Sequence, residues 1–303
     1  LKRGGALADQ IRARGVDVSH VLDPTRMSLH ELRRLTSDAP TLRAFNVAHS
    51  HLYAADVVVR GALTAARVLP VRFTLDTASV TTWHAVVESA ALGRAARAAA
   101  PRLYRSFDAI VAVSSAVRDD WCAFTGIAGD RVHVVPNPIA VRTPSPAALD
   151  AARAAFGDDA ALKLACIGRL VDDKRFDLAV DALALPALRD RGARLVVVGD
   201  GPLLASLEIR AHHAGVADRV AFVGSQPEPE AFYAAADVVV MPSAHEGFGL
   251  VAVEAAAQGT PIAATRNDGL KDALLGCPAP AIEALDAESV ARSILGCAPV
   301  DSE

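Results

Sequence analysis

The stretch Ser243-Ala244-His245-Glu246-Gly247-Phe248-Gly249-Leu250-Val251-Ala252-Val253-Glu254 decides how the rest of the chain is read. It follows the apolar run Val238-Val239-Val240-Met241, short enough for a buried strand, and opens into a helical pattern over 250–258 closed by Gly259-Thr260-Pro261. A strand, a glycine-bearing turn and a helix start make a place for an anion. The first turn of a helix leaves main-chain N–H groups unpaired, and the helix dipole favours negative charge there. Gly247 and Gly249 let the backbone approach a ligand without a Cβ in the way. Glu246 and Glu254 bracket the turn, eight positions apart, which is at most about 12 Å of helix rise. That span suits the two hydroxyl-bearing ends of one ligand whose middle is a diphosphate.

Outward from this stretch, short apolar runs alternate with helical patterns. Strands are expected at 16–22, 45–49, 68–75, 109–113 and 132–135, then at 163–167, 195–198, 220–223, 238–241 and 261–264. Amphipathic stretches such as 176–188 and 203–214 lie between them, so the fold class is α/β with parallel sheets. Pro136, Pro138, Pro144 and Pro146 mark residues 136–146 as a connector, which divides the chain into domains at 1–140 and 141–303.

With 303 residues, 52% hydrophobic and 22% charged, the chain can bury the cores of two domains and is not disordered. A net charge of −4 with both signs mixed gives no basic field for nucleic acid, so that class is excluded. An anionic ligand must be met by individual Arg and Lys positions. Cys122, Cys166, Cys277 and Cys297 show no Cys-x-x-Cys spacing; Cys166 reads as a small buried apolar group. No apolar stretch reaches the roughly 18 residues of a membrane span, and the first residues carry no signal pattern, so a cytoplasmic location is expected. Leu1 stands where a Met would open a chain, and no closing element precedes Glu303; both ends read as cut.

The spacing of Glu246 and Glu254, with Gly247-Phe248-Gly249 between them, resembles the C-terminal domain of retaining GT-B-fold glycosyltransferases. This is the group 1 family that includes bacterial glycogen synthases, sucrose synthases and cell-envelope mannosyltransferases. Ile167-Gly168-Arg169-Leu170-Val171-Asp172-Asp173-Lys174-Arg175-Phe176 is similar to that family's glycine–arginine–lysine loop. Val197-Val198-Gly199-Asp200-Gly201-Pro202 and Val220-Ala221-Phe222-Val223-Gly224 are similar to its next two strand ends, and Pro136-Asn137-Pro138 to its inter-domain turn. The likeness is strong over 132–268 and looser before it. It implies two facing Rossmann-like domains, the N-terminal one incomplete because its opening strand–loop–helix unit is missing. Gly4-Gly5 could be a remnant of that unit's glycine loop but reads better as an ordinary approach to a helix.

The resemblance implies a donor site for a nucleotide-diphosphate sugar, UDP-, GDP- or ADP-linked, with no further cofactor and no metal. Arg169 and Lys174, in the loop after the strand at 163–167, would grip the diphosphate as a planar fork and a point charge. The bland alternative is a solvated loop with Asp172 and Asp173 as their partners. Glu254 would accept from the ribose hydroxyls; apolar neighbours suggest a buried carboxylate, which is costly without a partner. Glu246 would contact the donor sugar, with the amides of Gly247, Phe248, Gly249 and Leu250 on sugar and phosphate, although an acidic residue near a helix start is common. Phe248 reads first as a packing residue. Val223 and Gly224, in the segment similar to one of the family's strand ends, would offer backbone to the base, and Gly168 belongs to the diphosphate loop.

The first domain departs from the pattern. The family carries a histidine after a strand end near the reacting carbon, and in Thr74-Leu75-Asp76-Thr77 that position holds Asp76. Either Asp76 takes the role, where it can orient a hydroxyl or accept a proton but not donate as a neutral imidazole does, or His84 serves instead. His49 and His51 share one strand face and read as cleft-lining or capping residues rather than metal ligands. Residues 82–107 read as one long Arg-bearing helical pattern, packed on the first sheet with Arg94, Arg97, Arg102 and Arg105 toward water. Peripheral membrane association is the other reading of that pattern, since family members act on lipid-linked as well as glycan and small-molecule acceptors. The expected activity is retaining transfer of a sugar to an acceptor hydroxyl. A donor-binding protein without catalysis is the rival. An NAD-dependent oxidoreductase is disfavoured, because Gly199-Asp200-Gly201-Pro202 lacks the third glycine of the dinucleotide fingerprint.

Overall fold

The computed structural model of the chain describes residues 13–15, 46–51, 53, 55–57, 59–61, 77–87, 93–158, 160–276 and 281–297. The chain forms two compact units. One comprises Leu1–His84, Gly93–Val111 and Cys122–His133; the other comprises Ala85–Leu92, Ala112–Trp121 and Val134–Glu303.

A four-stranded sheet holds β1 (Val47–His51), β2 (Ala78–Trp83), β3 (Ala109–Ala112) and β4 (Val132–Val134) in that spatial order. β1 and β2 run parallel, with His51 opposite Thr82. The expected strands at 109–113 and 132–135 match β3 and β4 to within one residue, and that at 45–49 overlaps β1, which lies two residues later. Those at 16–22 and 68–75, with Gly4, Gly5 and Asp76, lie outside the described residues.

β2 corrects the reading of 82–107 as one helix: Thr82 and Trp83 end a strand, and the helix α1 is confined to Arg94–Arg105. The strand is disguised by its polar residues. Ser79, Thr81 and Thr82 are buried, and their donors are satisfied from within. Ser79 donates from both its amide and its hydroxyl to Asp108 at 2.7 Å, and Thr81 Oγ1 donates to Asp56 at 2.7 Å. In α1 Ala100 and Tyr104 are buried while Arg94, Arg97, Arg102 and Arg105 are exposed, as the amphipathic pattern requires. A further helix, α2, spans Ser115–Thr125.

The second sheet has six strands: β5 (Leu162–Ile167), β6 (Ala193–Val198), β7 (Val220–Gly224), β8 (Val238–Met241), β9 (Ile262–Thr265) and β10 (Ala281–Ile282). Their spatial order is β10-β9-β8-β5-β6-β7 and every pairing is parallel. The chain winds outward from β5 through β6 and β7, returns to β8 beside β5, and winds out the other way. The carboxyl ends of β5 and β8 therefore flank the switch point, where open α/β sheets bind ligands.

Helices connect these strands: α3 (Pro146–Phe156), α4 (Phe176–Ala184), α5 (Pro186–Arg189), α6 (Leu204–His213), α7 (Glu230–Ala235), α8 (Leu250–Ala257), α9 (Leu270–Ala273) and α10 (Ala287–Cys297). Alternate strand residues face opposite layers. Leu164, Cys166, Leu195, Val197, Val238 and Val240 pack with α4, α6 and α10. Ala165, Ile167, Val196, Val198, Val239 and Met241 pack with α3, α7 and α8. Burial on both faces explains why these strands read as unbroken apolar runs. Cys166 is fully buried, which pushes its thiol pKa up, consistent with an inert packing group. The proline-rich connector stops at Ser145: its hydroxyl accepts from the Ala148 amide at 3.3 Å, and Pro146 opens α3 as the first helical residue. Among the described residues no helix is long and apolar enough to cross a membrane.

Candidate functional site

Three strand-end loops are knitted together beside the switch point. The Gly168 amide donates to the Val198 carbonyl at 2.9 Å, the Leu170 amide to Asp200 at 3.0 Å, and the Gly199 amide to Gly224 at 2.9 Å. The approach is close enough to demand glycine. Gly199 has φ +139, and a Cβ there would stand 1.8 Å from the Gly168 carbonyl oxygen. Thus the Gly-Asp-Gly turn, which could be mistaken for a dinucleotide fingerprint, is a packing device that supports the Arg169 loop.

Arg169 points outward. Its residue is exposed, and its guanidinium bonds no other described residue. Lys174 ends a short 3₁₀ turn, Asp172–Lys174, and the next residue, Arg175, takes a left-handed conformation with φ 49. That backbone costs a non-glycine residue on the order of 1–2 kcal/mol, and a two-pronged bond from Arg175 to Asp177, 3.0 Å each, helps to hold it.

Across the switch point, Lys174 Nζ pairs with Glu246 Oε1. The side chains are only 19% and 11% exposed, so the pair is shielded from bulk water. Ser243 Oγ donates to the same carboxylate oxygen at 3.0 Å, and the Ala244 amide donates to the Asp173 carbonyl at 2.8 Å, joining the β5 and β8 loops. Asp172 and Asp173 form no ion pair with Arg169 or Lys174 among the described residues, so they are not the partners that the bland reading of this loop expected.

The turn from Glu246 into α8 is shaped by glycines and by its surroundings. Gly249 caps the helix in a left-handed conformation, φ 86, where a Cβ would meet Leu270 Cδ2 at 2.5 Å. Gly269 donates to the Glu246 carbonyl at 2.9 Å and lies so near that a Cβ would meet the Gly247 oxygen at 2.0 Å. Residues 112–121 cluster with the same unit, and from them the Ser114 hydroxyl donates to Gly247 O at 2.7 Å. Phe248 is 8% exposed and packs, as expected. The amides of residues 247–251 donate to no acceptor among the described residues. Five N–H groups at the start of an eight-residue helix, beside Lys174, make a concentrated positive end.

Glu254 lies one helical turn beyond Leu250, and its environment corrects the expectation of a partnerless buried carboxylate. It is half-buried, and the Tyr233 hydroxyl on α7 donates to it at 2.7 Å. Burial first, and then the Glu254 carboxylate, push the Tyr233 pKa up, so the phenol stays a donor. The Tyr233 carbonyl is in turn held by Thr260 Oγ1 at 2.7 Å. Leu250, Glu254 and Gln258 line a cleft of about 260 Å³ together with Tyr233, Glu230 and Arg142. Tyr233→Phe is expected to lower thermal stability by about 1 kcal/mol, a few degrees in a melting scan, because the exposed side of Glu254 can recruit water in place of the lost donor.

Val223 and Gly224 have carbonyls already engaged, Val223 by Gln226 Nε2 at 2.6 Å and Gly224 by the Gly199 amide. Any contact from them must use a second lone pair or an amide.

In the four-stranded sheet, His84 follows the carboxyl end of β2 directly. Its Nε2 is 2.8 Å from His51 Nδ1, and His49 Nε2 is 2.8 Å from Thr82 Oγ1. Among the described residues no group of three histidine, cysteine or carboxylate side chains is arranged to hold a metal ion. Tyr233, Ser243 and Gly269 were missed from sequence. Tyr233 acts on Glu254 from 21 positions upstream, through a contact with no local motif, whereas Ser243 acts on Glu246 from three positions away, inside the stretch already singled out.

Comparison with known proteins gives two family matches, "Glycosyl transferases group 1" over residues 153–275 and "Glycosyltransferase Family 4" over residues 3–142. A GDP-mannose-dependent alpha-(1-6)-phosphatidylinositol monomannoside mannosyltransferase of Mycobacterium tuberculosis is 36% identical over 186 residues, 57% of this chain and 48% of that protein. A 2-deoxystreptamine glucosyltransferase of Streptomyces kanamyceticus is 40% identical over 146 residues, 45% of this chain and 37% of its own length. The chain thus spans about half or less of the length of these two curated relatives. Among solved structures, Anabaena HepE in complex with UDP and glucose superposes with a TM-score of 0.81 at 22% identity, covering 97% of this chain and 79% of that one, a likeness of fold.

Proposed function

We propose that the chain, whose residues 153–275 match the group 1 glycosyl transferases and residues 3–142 the glycosyltransferase family 4, transfers a sugar from a nucleotide-diphosphate sugar to an acceptor hydroxyl with retention of configuration. The observation that carries this reading is the Lys174–Glu246 pair beside five unengaged amides at the switch point. Lys174, Arg169 and those amides hold the diphosphate and stabilise the charge that develops on it as the sugar–oxygen bond breaks. Glu246, fixed by Lys174 and Ser243, orients the donor sugar, and Glu254, steadied by Tyr233, takes the ribose hydroxyls. The acceptor oxygen attacks the face that the diphosphate leaves, and the departing phosphate oxygen takes its proton. These cationic groups supply the charge stabilisation without calling on a metal.

The resemblance implies a histidine at the reacting carbon. We assign that role to His84, at the end of β2, in preference to Asp76. The mycobacterial relative is named for GDP-mannose and the Anabaena neighbour is bound to UDP and glucose, so GDP- and UDP-sugars head the donor candidates, with ADP-sugars after them. The acceptor is a glycan, a lipid-linked sugar or a small molecule.

Calorimetry against GDP-mannose, UDP-glucose and ADP-glucose tests the donor site. Glu254→Ala is expected to weaken binding of the preferred donor by roughly ten- to a hundredfold, through loss of charge-assisted hydrogen bonds worth about 1.5–3 kcal/mol. Arg153→Ala, whose partner Asp150 is a 77% exposed surface residue, should leave it unchanged. Equal affinity in both variants sinks the assignment. Binding with neither transfer nor hydrolysis would favour a donor-binding protein without catalysis.

A further inference from the structure

His51 and His84 stand at the carboxyl ends of two neighbouring parallel strands, and each ring reaches the other. His51 Nδ1 lies 2.8 Å from His84 Nε2, with ring centroids 5.1 Å apart. His49 occupies the same face of β1, its ring centroid 4.3 Å from that of His51, while its own Nε2 is engaged by Thr82. Among the described residues nothing else bonds the His84 ring.

A nitrogen-to-nitrogen bond between imidazoles needs one protonated nitrogen and one bare one. Two imidazoliums would set N–H against N–H, so the pair accepts one proton readily and a second with difficulty. The titratable groups acting on His51 are His49, His84 and Asp56, and the one acting on His84 is His49. Asp56 is fully buried and holds two hydroxyls, Ser50 Oγ at 2.6 Å and Thr81 Oγ1 at 2.7 Å. Burial above all, and then the neighbouring histidines, lower the pKa of His51 and of His84, which favours the neutral pair near pH 7.

Neutral imidazole ordinarily carries its proton on Nε2. Both rings in that form make the observed bond without conflict: His84 Nε2–H donates to His51 Nδ1. We propose that His51 is a positioning residue for His84, fixing its ring plane and its tautomer so that a bare Nδ1 is presented to accept a hydrogen bond from a sugar hydroxyl. The proposal rests on the assignment of His84 given above, but it makes a claim about His51 that the assignment does not contain.

The test uses substitutions that separate the two ring nitrogens. The carboxamide oxygen of His51→Asn can occupy the place of Nδ1, whereas His51→Gln places its carboxamide where Nε2 was. In long-range proton–nitrogen spectra of the purified full chain, His84 should be a single Nε2–H tautomer in the parent and in His51→Asn. It should become a tautomer mixture in His51→Gln. Hydrolysis of GDP-mannose or UDP-glucose, whichever the chain binds, should fall roughly ten- to a hundredfold in kcat for His51→Gln with KM held, and recover in His51→Asn. An unchanged His84 tautomer in His51→Gln, or equal kcat in the two variants, overturns the proposal. His84→Ala distinguishes the two levels: full activity in that variant removes the assignment of His84 itself. Loss of activity there, with His51→Gln silent, removes only the role of His51.

Discussion

Lys174→Ala is expected to lower kcat/KM for the nucleotide sugar by about a hundredfold or more. A charge-assisted hydrogen bond to a phosphate contributes about 1.5–3 kcal/mol, and a group that also stabilises charge in the transition state adds to that. About 3 kcal/mol corresponds to slightly more than two decades in rate. The variant also strands Glu246, a side chain 11% exposed, with Ser243 Oγ at 3.0 Å as its remaining hydrogen-bond donor. Part of the loss should therefore appear as a mispositioned carboxylate. A double-mutant cycle with Glu246→Gln separates the contributions: the pair is coupled if the double variant loses clearly less than the sum of the single losses. Steady-state rates for the four proteins decide it. A Lys174→Ala enzyme within a few-fold of the parent would end the leaving-group role.

Gly199→Ala is the substitution with the largest expected effect on the scaffold. The new Cβ would lie 1.8 Å from the Gly168 oxygen, a main-chain atom that cannot swing aside, in a backbone of φ +139 that side chains rarely adopt. Backbone strain of about 1–3 kcal/mol and overpacking of about 1–3 kcal/mol act together, and a loss near 4 kcal/mol would lower Tm by roughly 10 °C. Because the displaced atom belongs to the loop that carries Arg169, diphosphate binding should weaken along with Tm. Gly129→Ala is the matched comparison: nothing lies within 4 Å of its added methyl and its φ is not left-handed. Differential scanning calorimetry of the two variants checks both statements, and equal melting temperatures would contradict the packing account.

The second sheet was legible because each of its central strands is buried on both faces, so runs such as Val238-Val239-Val240-Met241 carry their burial in their composition. The loop residues proposed to meet the donor stand out in the sequence because glycine and charge lie at fixed distances from those strand ends. β2 was not legible. Its interior is filled by Ser79, Thr81 and Thr82, whose hydroxyls are matched by Asp108, Asp56 and His49 from distant parts of the chain. Reading its end as a helix start hid the strand end that precedes His84, so the sequence left Asp76 and His84 as alternatives for the histidine position. Glu254 shows the other limit. The cost of an unpartnered carboxylate was argued correctly, but its partner, Tyr233, belongs to a different helix and leaves no trace in the spacing around Glu254.

The contact between Lys174 and Glu246 bears on the end of the catalytic cycle as well as its start. On the proposed reading, an incoming diphosphate meets a lysine whose charge is already matched, and it must share that cation with a resident carboxylate. After transfer, the spent nucleoside diphosphate carries more negative charge than the donor did, close to the same carboxylate. The internal anion thus competes with the product for the lysine. It tempers grip on both, and keeps the protein from being trapped by what it has just made.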